Sequence, residues 1–371
     1  MATIPIWDPT NNKKIFVEHP TMLPHEVIHY LVATGCVTVQ EVADLSGRHD
    51  QNLGSKKKAF CDKHLLDDKV CIALGFHGDG VPFQKSTHKQ ASTEVLSWNF
   101  LCDKDGKRYM FCNINKDFVC CCGCHGRCTL DALLEVFVWS MGIMLEGKWP
   151  VERHDHGPLD EERNALRSKT LGFHGVLLQL RADWAWYTQN LSFPNWNSNS
   201  ICWRCKATKE SYKDCGPTAP WRHNRYKMGE FLALQIQNNQ KVSPLFQCPG
   251  FTLEDVCTGS LHCMDLGVAQ DILGNIMWEA VQWLDLGPTK KGRCYAVWQM
   301  LKKFYKDNKT LCQVQGLHIN MIKRKGETPK LKCKGAQTRH MAPFGVLLAQ
   351  KLHEALAHST LPWCCSSQRC S

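Results

Sequence analysis

The sequence contains no uninterrupted apolar run of about 18 residues, the minimum for a helix that crosses a bilayer. Its opening stretch, MATIPIWDPTNNKK, has no apolar core of the kind a secretory signal carries. There is no internal repeat, and outside one cysteine-rich run there is no low-complexity segment. These absences argue against a membrane protein, a secreted protein, a solenoid and a disordered tether. The expected protein is soluble and intracellular, with no membrane partner.

What is present is an ordinary globular composition. Of 371 residues, 43% are hydrophobic and 22% charged, which suits two or three structural units. The formal charge is +10, from 45 Lys and Arg against 35 Asp and Glu. That excess favours a polyanion such as nucleic acid, because phosphate contacts release counterions. The basic residues fall in short groups, Lys56-Lys57-Lys58, Lys302-Lys303 and Lys323-Arg324-Lys325, and each group alone reads as solvated surface. The 22 cysteines, in a chain with no secretory signal, point to structural zinc at some of them and not to a disulfide framework.

Helical spacing over 24–32 and a capped start at Thr38-Val39-Gln40-Glu41 make residues 1–67 an expected N-terminal helical segment. Strand patterns follow at 70–76, 94–101 and 108–114, then a cysteine-rich insert at 112–128 and a long amphipathic helix over 130–146. A fourth strand, 173–180, runs into Arg181-Ala182-Asp183. Three strands, a helix and a strand ending in aspartate is the order of an RNase H-like α/β fold, a mixed sheet with helices whose first and fourth strands are neighbours. The first part of that core spans 68–183, a zinc-binding insertion 184–263, a helical completion of the core 264–358 and a cysteine-containing tail 359–371. Within the third of these, 287–334 reads as basic and irregular.

The stretch GFHGDGVPF, residues 75–83, holds Asp79 between two glycines after the first strand. A turn is the plain explanation, since Gly and Asp tolerate positive φ. The sharper one is a metal-binding carboxylate, with glycines 78 and 80 leaving space for a metal and a phosphate. Asp183, ending the adjacent strand, is its partner: two such carboxylates can share Mg2+ or Mn2+ in phosphoryl transfer. Cys202-Trp203-Arg204-Cys205 is half of a tetrahedral zinc site, with Cys215, Cys248, Cys257, His262 and Cys263 as candidates to complete it. The run from Cys120 to Cys128 places six potential ligands in nine residues. It is either a second zinc site, on Cys120, Cys124, His125 and Cys128, or a loop with no metal, because adjacent cysteines cannot all face one ion. Trp184, Trp186, Tyr187, Trp196 and Trp203 could stack on splayed bases, but packing a small insertion is the plainer role.

In order, HGDGVPF, RADW followed by CWRC, SLHCMDLGV and KGAQTRHMAPFGVLL resemble the landmarks of DDE transposases of the CACTA-like superfamily, over about residues 70–350. The resemblance implies an RNase H-like core with Asp79 and Asp183 as the first and second catalytic carboxylates, holding Mg2+ or Mn2+. It implies structural zinc on Cys202, Cys205 and His262, with Cys257 or Cys263 as the fourth ligand. It also implies DNA as partner, a homo-oligomer in the active form and a nuclear location. Two departures stand out. The family has Cys or Asp three residues before the histidine, where this chain has Gly259, and the slot of the third acid holds Gln337. Glu279 and Glu354 are other acids from later helices, each more simply a solvated carboxylate. Three functions follow: a transposase-derived nuclease, a DNA-binding relic that does not cut, and a zinc-stabilised interaction protein.

Overall fold

The computed structural model describes residues 1–47, 51–85, 90–195, 197–259 and 261–357. Trp196 and the tail at 359–371 lie outside the described residues. The chain divides into two compact units, Met1–Thr258 and Gly259–Ser371.

The first unit opens with strands, where only helices were expected. β1 (Ala2–Asp8) and β2 (Lys13–His19) form an antiparallel hairpin. Its turn is closed by the Asp8 carboxylate, which accepts the N–H groups of Thr10 at 2.9 Å and Asn11 at 3.2 Å. The strands are short and Pro5 interrupts β1, which hides its alternation in the sequence. Then come α1 (Pro24–Ala33), with proline in its first turn, and α2 (Val39–Ala43), capped reciprocally by Thr38 and Glu41. The polar stretch after 46 contains a further helix, α3 (Gln51–His64), whose buried side includes Leu53, Phe60 and Cys61.

Period-two burial builds the central sheet. In β3 (Cys71–Lys85), Ile72, Leu74 and Phe76 face one core while Cys71 and Ala73 face another. β3 pairs antiparallel with β4 (Gln90–Phe100), which pairs antiparallel with β5 (Tyr109–Asn115). On its other side β3 pairs in parallel with β6 (His174–Arg181), and β6 with the two-residue β7 (Val256–Cys257). The order across the five strands is β5-β4-β3-β6-β7. A parallel neighbour needs a crossover, and α4 (Arg127–Glu146) and α5 (Glu161–Leu166) lie within it. α4 covers one face, with Phe137 4.3 Å from Phe76 between ring centroids. α3 covers the opposite face, joining Cys71, Ala73, Leu101, Val176 and Leu178. The fold is therefore mixed α/β with helices on both faces of a five-stranded mixed sheet.

By length and composition α4 is apolar enough to cross a membrane. Asp131 and Glu135 interrupt its apolar run in the sequence. It packs as a core helix, with Leu133, Leu134, Phe137, Met141 and Met144 fully buried.

After β6 follow α6 (Trp184–Leu191), α7 (Pro220–His223) and α8 (Met228–Gln237). Their core is aromatic: Trp203 stacks on Phe193 at 5.0 Å and lies 4.9 Å from Trp184, with Tyr187 and Phe231 alongside. Trp186, Tyr187 and Trp203 are buried, so these rings pack the segment. The second unit contains α9 (Ala269–Trp283), α10 (Lys290–Asp307), α11 (Ile319–Ile322) and α12 (Gly335–Ala357), around Met277, Val297, Leu301 and Leu348. The stretch expected to be irregular thus carries an 18-residue helix, obscured because Gly292 and two lysine pairs interrupt its apolar spacing.

His25 of α1 is fully buried, its Nδ1 2.8 Å from Ser140 Oγ and its ring against Trp139 and Trp149. Burial lowers its pKa to about 3, with the charges of Arg163 and His29 pushing the same way. The unfolded chain binds a proton near pH 6.5 that the fold refuses, so the stability from neutral His25 is full above that pH and is lost as pH falls through it. A His25→Gln variant should flatten the fall in unfolding free energy between pH 6.5 and 5 by about 1.4 kcal/mol per pH unit. Urea titrations at several pH values measure this, and an unchanged slope contradicts the burial of a neutral imidazole.

Candidate metal centre

The cysteine-rich loop joins β5 to α4, and its backbone explains how so many ligands can share one point. Gly123 (φ 90°), His125 (φ 52°) and Gly126 (φ 87°) are left-handed, which folds the loop back on itself. Gly126 N–H donates to Cys120 O at 3.1 Å and Arg127 N–H to Cys124 O at 3.0 Å. Cys120 N–H donates to Thr129 Oγ1 at 2.9 Å. Every second residue then points inward. The Sγ atoms of Cys120, Cys122, Cys124 and Cys128 lie within 4.8 Å of one another, those of Cys122 and Cys128 at 3.8 Å. Four sulfurs at a zinc-type bond length of about 2.3 Å stand about 3.8 Å apart at the corners of a tetrahedron. This group can hold a metal ion such as zinc.

The electrostatics favour the thiolate at Cys124 and oppose it at Cys120 and Cys128. Burial pushes Cys120 up to about 12 and raises Cys128. At Cys124 burial acts in the same direction, but the backbone N–H of Cys128 and bonds from neighbouring thiols outweigh it and bring the thiol to about 7. The first turn of α4 is fixed beside the loop. Arg127 Nε binds Asp131 Oδ1 at 2.9 Å, and the same guanidinium reaches Ser192 Oγ at 2.9 Å and Lys241 O at 3.1 Å.

Of the ligands expected here, Cys120, Cys124 and Cys128 come together and His125 does not. His125 is exposed, its left-handed backbone presenting its carbonyl to Gln189 Nε2 at 3.0 Å. Cys122 takes part instead. Alternation inside an irregular loop has no signature in sequence, so nothing singled Cys122 out from Cys121.

Asp79 is not in a turn. β3 continues to Lys85, and Asp79 faces Val95 within the β3–β4 ladder. The flanking glycines have a packing reason: a Cβ at Gly78 would overlap the Trp186 indole, and one at Gly80 the ammonium of Lys116. The last β3–β6 pair is His77 with Arg181, so Asp79 and Asp183 each lie two residues beyond it. Asp79 is exposed, while Asp183 is half-buried and caps α6, accepting Trp186 N–H on Oδ1 at 2.7 Å. Glu94 of β4 is a further acid nearby. It is 4% exposed, its Oε2 3.4 Å from Lys116 Nζ, and its Oε1 has no hydrogen-bond partner among the described residues. Burial raises its pKa against the pull of Lys116, and the charge of Asp79 adds to the rise. With Lys116, Gln189 and the cysteine loop it lines a pocket of about 380 Å³.

Cys202 and Cys205 lie together in a knuckle-like turn. Arg204 N–H points at Cys202 Sγ at 3.3 Å, and Cys205 is bridged to Arg225. Burial raises the Cys205 thiol. Among the described residues of the first unit, no third ligand joins this pair within 4.8 Å. Cys257 sits instead on β7, paired with Arg181, where burial raises its thiol. His262 belongs to the second unit and is exposed.

Gln337 lies in the first turn of α12, where its Oε1 accepts Lys334 N–H at 3.0 Å and its Nε2 donates to Gln313 O at 3.0 Å. Glu279 accepts the Trp283 indole N–H at 2.6 Å, and both Glu279 and Glu354 are exposed helix carboxylates.

No family model matches the chain, and no curated protein matches it.

Cobalt(II) bound by four thiolates absorbs strongly through sulfur-to-metal charge transfer. Titration should develop that absorption to the same plateau in the parent protein and in Cys121→Ser and His125→Ala, and reach a lower plateau in Cys122→Ser. A parental plateau in Cys122→Ser together with shifted ligand-field bands in His125→Ala would replace the tetrathiolate by the histidine-containing set.

Proposed function

We propose that the chain is a transposase-derived protein with an RNase H-like core, whose ancestral activity is cleavage and transfer of DNA strands. The supporting observation is the parallel pairing of β3 with β6, which carries Asp79 and Asp183 two residues past a common register point. Strand alternation continued from His77 and Arg181 would send both carboxylates to the same side of the sheet. Strand order and direction also fit: three antiparallel strands with the fourth and fifth added in parallel to the first is the RNase H-like arrangement.

The donor set suits a hard divalent cation such as Mg2+ or Mn2+, which takes carboxylate oxygens. Such an ion supplies the charge that activates a water or 3′-hydroxyl and stabilises the departing oxygen. The chain's part is positional. Asp183 spends one oxygen on its helix cap, which fixes the carboxylate, and Asp79 stands on a strand buttressed by Trp186. The attacking oxygen bonds to phosphorus as the bond from phosphorus to the 3′ oxygen breaks. At the cysteine loop the metal is read as zinc, which four soft sulfurs within 4.8 Å of one another suit. It braces the loop that leads into α4. The protein acts on DNA in the nucleus.

A specific observation favours a protein that binds DNA without cutting it. The slot of the third acid holds Gln337, a neutral amide with both ends engaged by its own unit. Losing one negative charge from a site that neutralises dications removes transition-state stabilisation worth about 10²-fold or more in rate. Nicking of supercoiled DNA in Mg2+ should therefore be weak in the parent and rise in Gln337→Glu, and adding Asp79→Asn to that variant should abolish it. A blank result for Gln337→Glu, or nicking that survives loss of Asp79, overturns the assignment.

A further inference from the structure

The positive charge of the chain is not spread evenly. Residues 259–371 hold 16 of the 45 Lys and Arg but only 7 of the 35 Asp and Glu, which places +9 of the formal +10 in the second unit. The first unit is left with 29 cations against 28 acids, close to neutral.

Within the second unit α10 concentrates this charge on one side. Cys294, Val297, Leu301 and Tyr305 follow helical spacing into the core. Lys291, Tyr295, Lys302 and Lys306 form a stripe at the same spacing on the exposed side, and Tyr295 is 62% exposed. No carboxylate lies within ion-pair distance of Lys291, Lys302, Lys303 or Lys306 among the described residues. The N-terminal end of α10 meets a second basic element. Lys290 of α10 and Lys323 both stand over the Trp278 ring, at 5.4 and 4.7 Å from its centroid. Lys323 opens the loop 323–329, whose base is closed by Lys330 N–H to Ile322 O at 2.9 Å and Lys332 N–H to Met321 O at 2.8 Å. An aromatic ring thus gathers two cations from different elements onto one surface.

We propose that the exposed side of α10, with the loop 323–329, docks the phosphate backbone of duplex DNA. The α10 lysines have no carboxylate partners among the described residues and are set along a rigid helix, which suits a polyphosphate, because each contact releases counterions without first breaking an ion pair; in the loop, Arg324 faces Glu327 at 4.0 Å. The choice of DNA rests on the function proposed above, whereas the choice of a polyphosphate rests on the charge alone. Lysines on a helix face fix register on the duplex and do not select a sequence.

Fluorescence anisotropy of the full chain with a labelled DNA duplex, in buffer without Mg2+ or Mn2+ and over a salt series, tests this without any need for cleavage. Replacing Lys291, Lys302, Lys303 and Lys306 by Gln should reduce the magnitude of the slope of log affinity against log salt by about 4. Removing the same charge from exposed sites of the first unit, Lys13, Lys14, Lys104 and Lys107, should leave the slope near that of the parent. A second variant, with Lys323, Arg324 and Lys325 changed to Gln, should lower the slope in the same direction, and far-UV circular dichroism checks that each variant folds. A parental slope in both second-unit variants, or an equal loss in the first-unit control, overturns the surface. Tighter binding to single-stranded RNA than to duplex DNA overturns the choice of partner. Loss of DNA affinity on this surface, alongside DNA that is never nicked by any variant, upholds the surface and sinks the cleavage reading alone.

Discussion

The parallel pairing of β3 with β6 is the constraint on which the rest of the first unit depends. It puts strands about a hundred residues apart side by side, and it obliges the intervening chain to cross over the sheet. α4 fills that crossover with a nearly continuous apolar surface, packing Phe137 on Phe76. The cysteine loop then sits where the crossover begins, immediately before α4. One pairing therefore positions both the carboxylate pair and the metal-binding loop. A one-residue slip between β3 and β6 would turn Asp79 to the opposite face of the sheet from Asp183 and expose Ile72, Leu74 and Phe76, so the hydrophobic pattern itself guards the register.

The two candidate centres differ in how they are built. The tetrathiolate belongs to one short loop, and its geometry follows from left-handed backbone at three residues and from α4 N–H groups near the sulfurs. The carboxylate pair instead comes from strands about a hundred residues apart and depends on tertiary pairing. Glu94 adds a buried acid on the wall shared with the cysteine loop. A carboxylate kept out of water with one oxygen free is costly to bury, and its partial neutralisation by Lys116 accounts for its survival there.

Much of the sheet was legible in the sequence, since Val70 to Phe76, Trp98 and its neighbours, and Leu177 to Leu180 carry apolar runs bounded by turn residues. α4 and the capping box at Thr38 were legible for the same local reason. The elements that escaped are those whose stability comes from partners far along the chain. α3 and α10 are rich in lysine and show their apolar sides only against the packed protein, and β1 is broken by proline. The glycines around Asp79 illustrate the limit most clearly. Their pattern resembles a turn, yet the space they leave is taken by Trp186 and Lys116, which no local pattern foretells. Cys122 escaped because inward alternation in an irregular loop is decided by backbone angles.

The account turns on Asp79 and Asp183 sharing one cation. Crystals soaked in Mn2+ and measured at the manganese absorption edge give the most direct answer. The account predicts an anomalous peak in coordination contact with both carboxylates. A map with no peak between them, or with manganese bound to only one of the two, contradicts it.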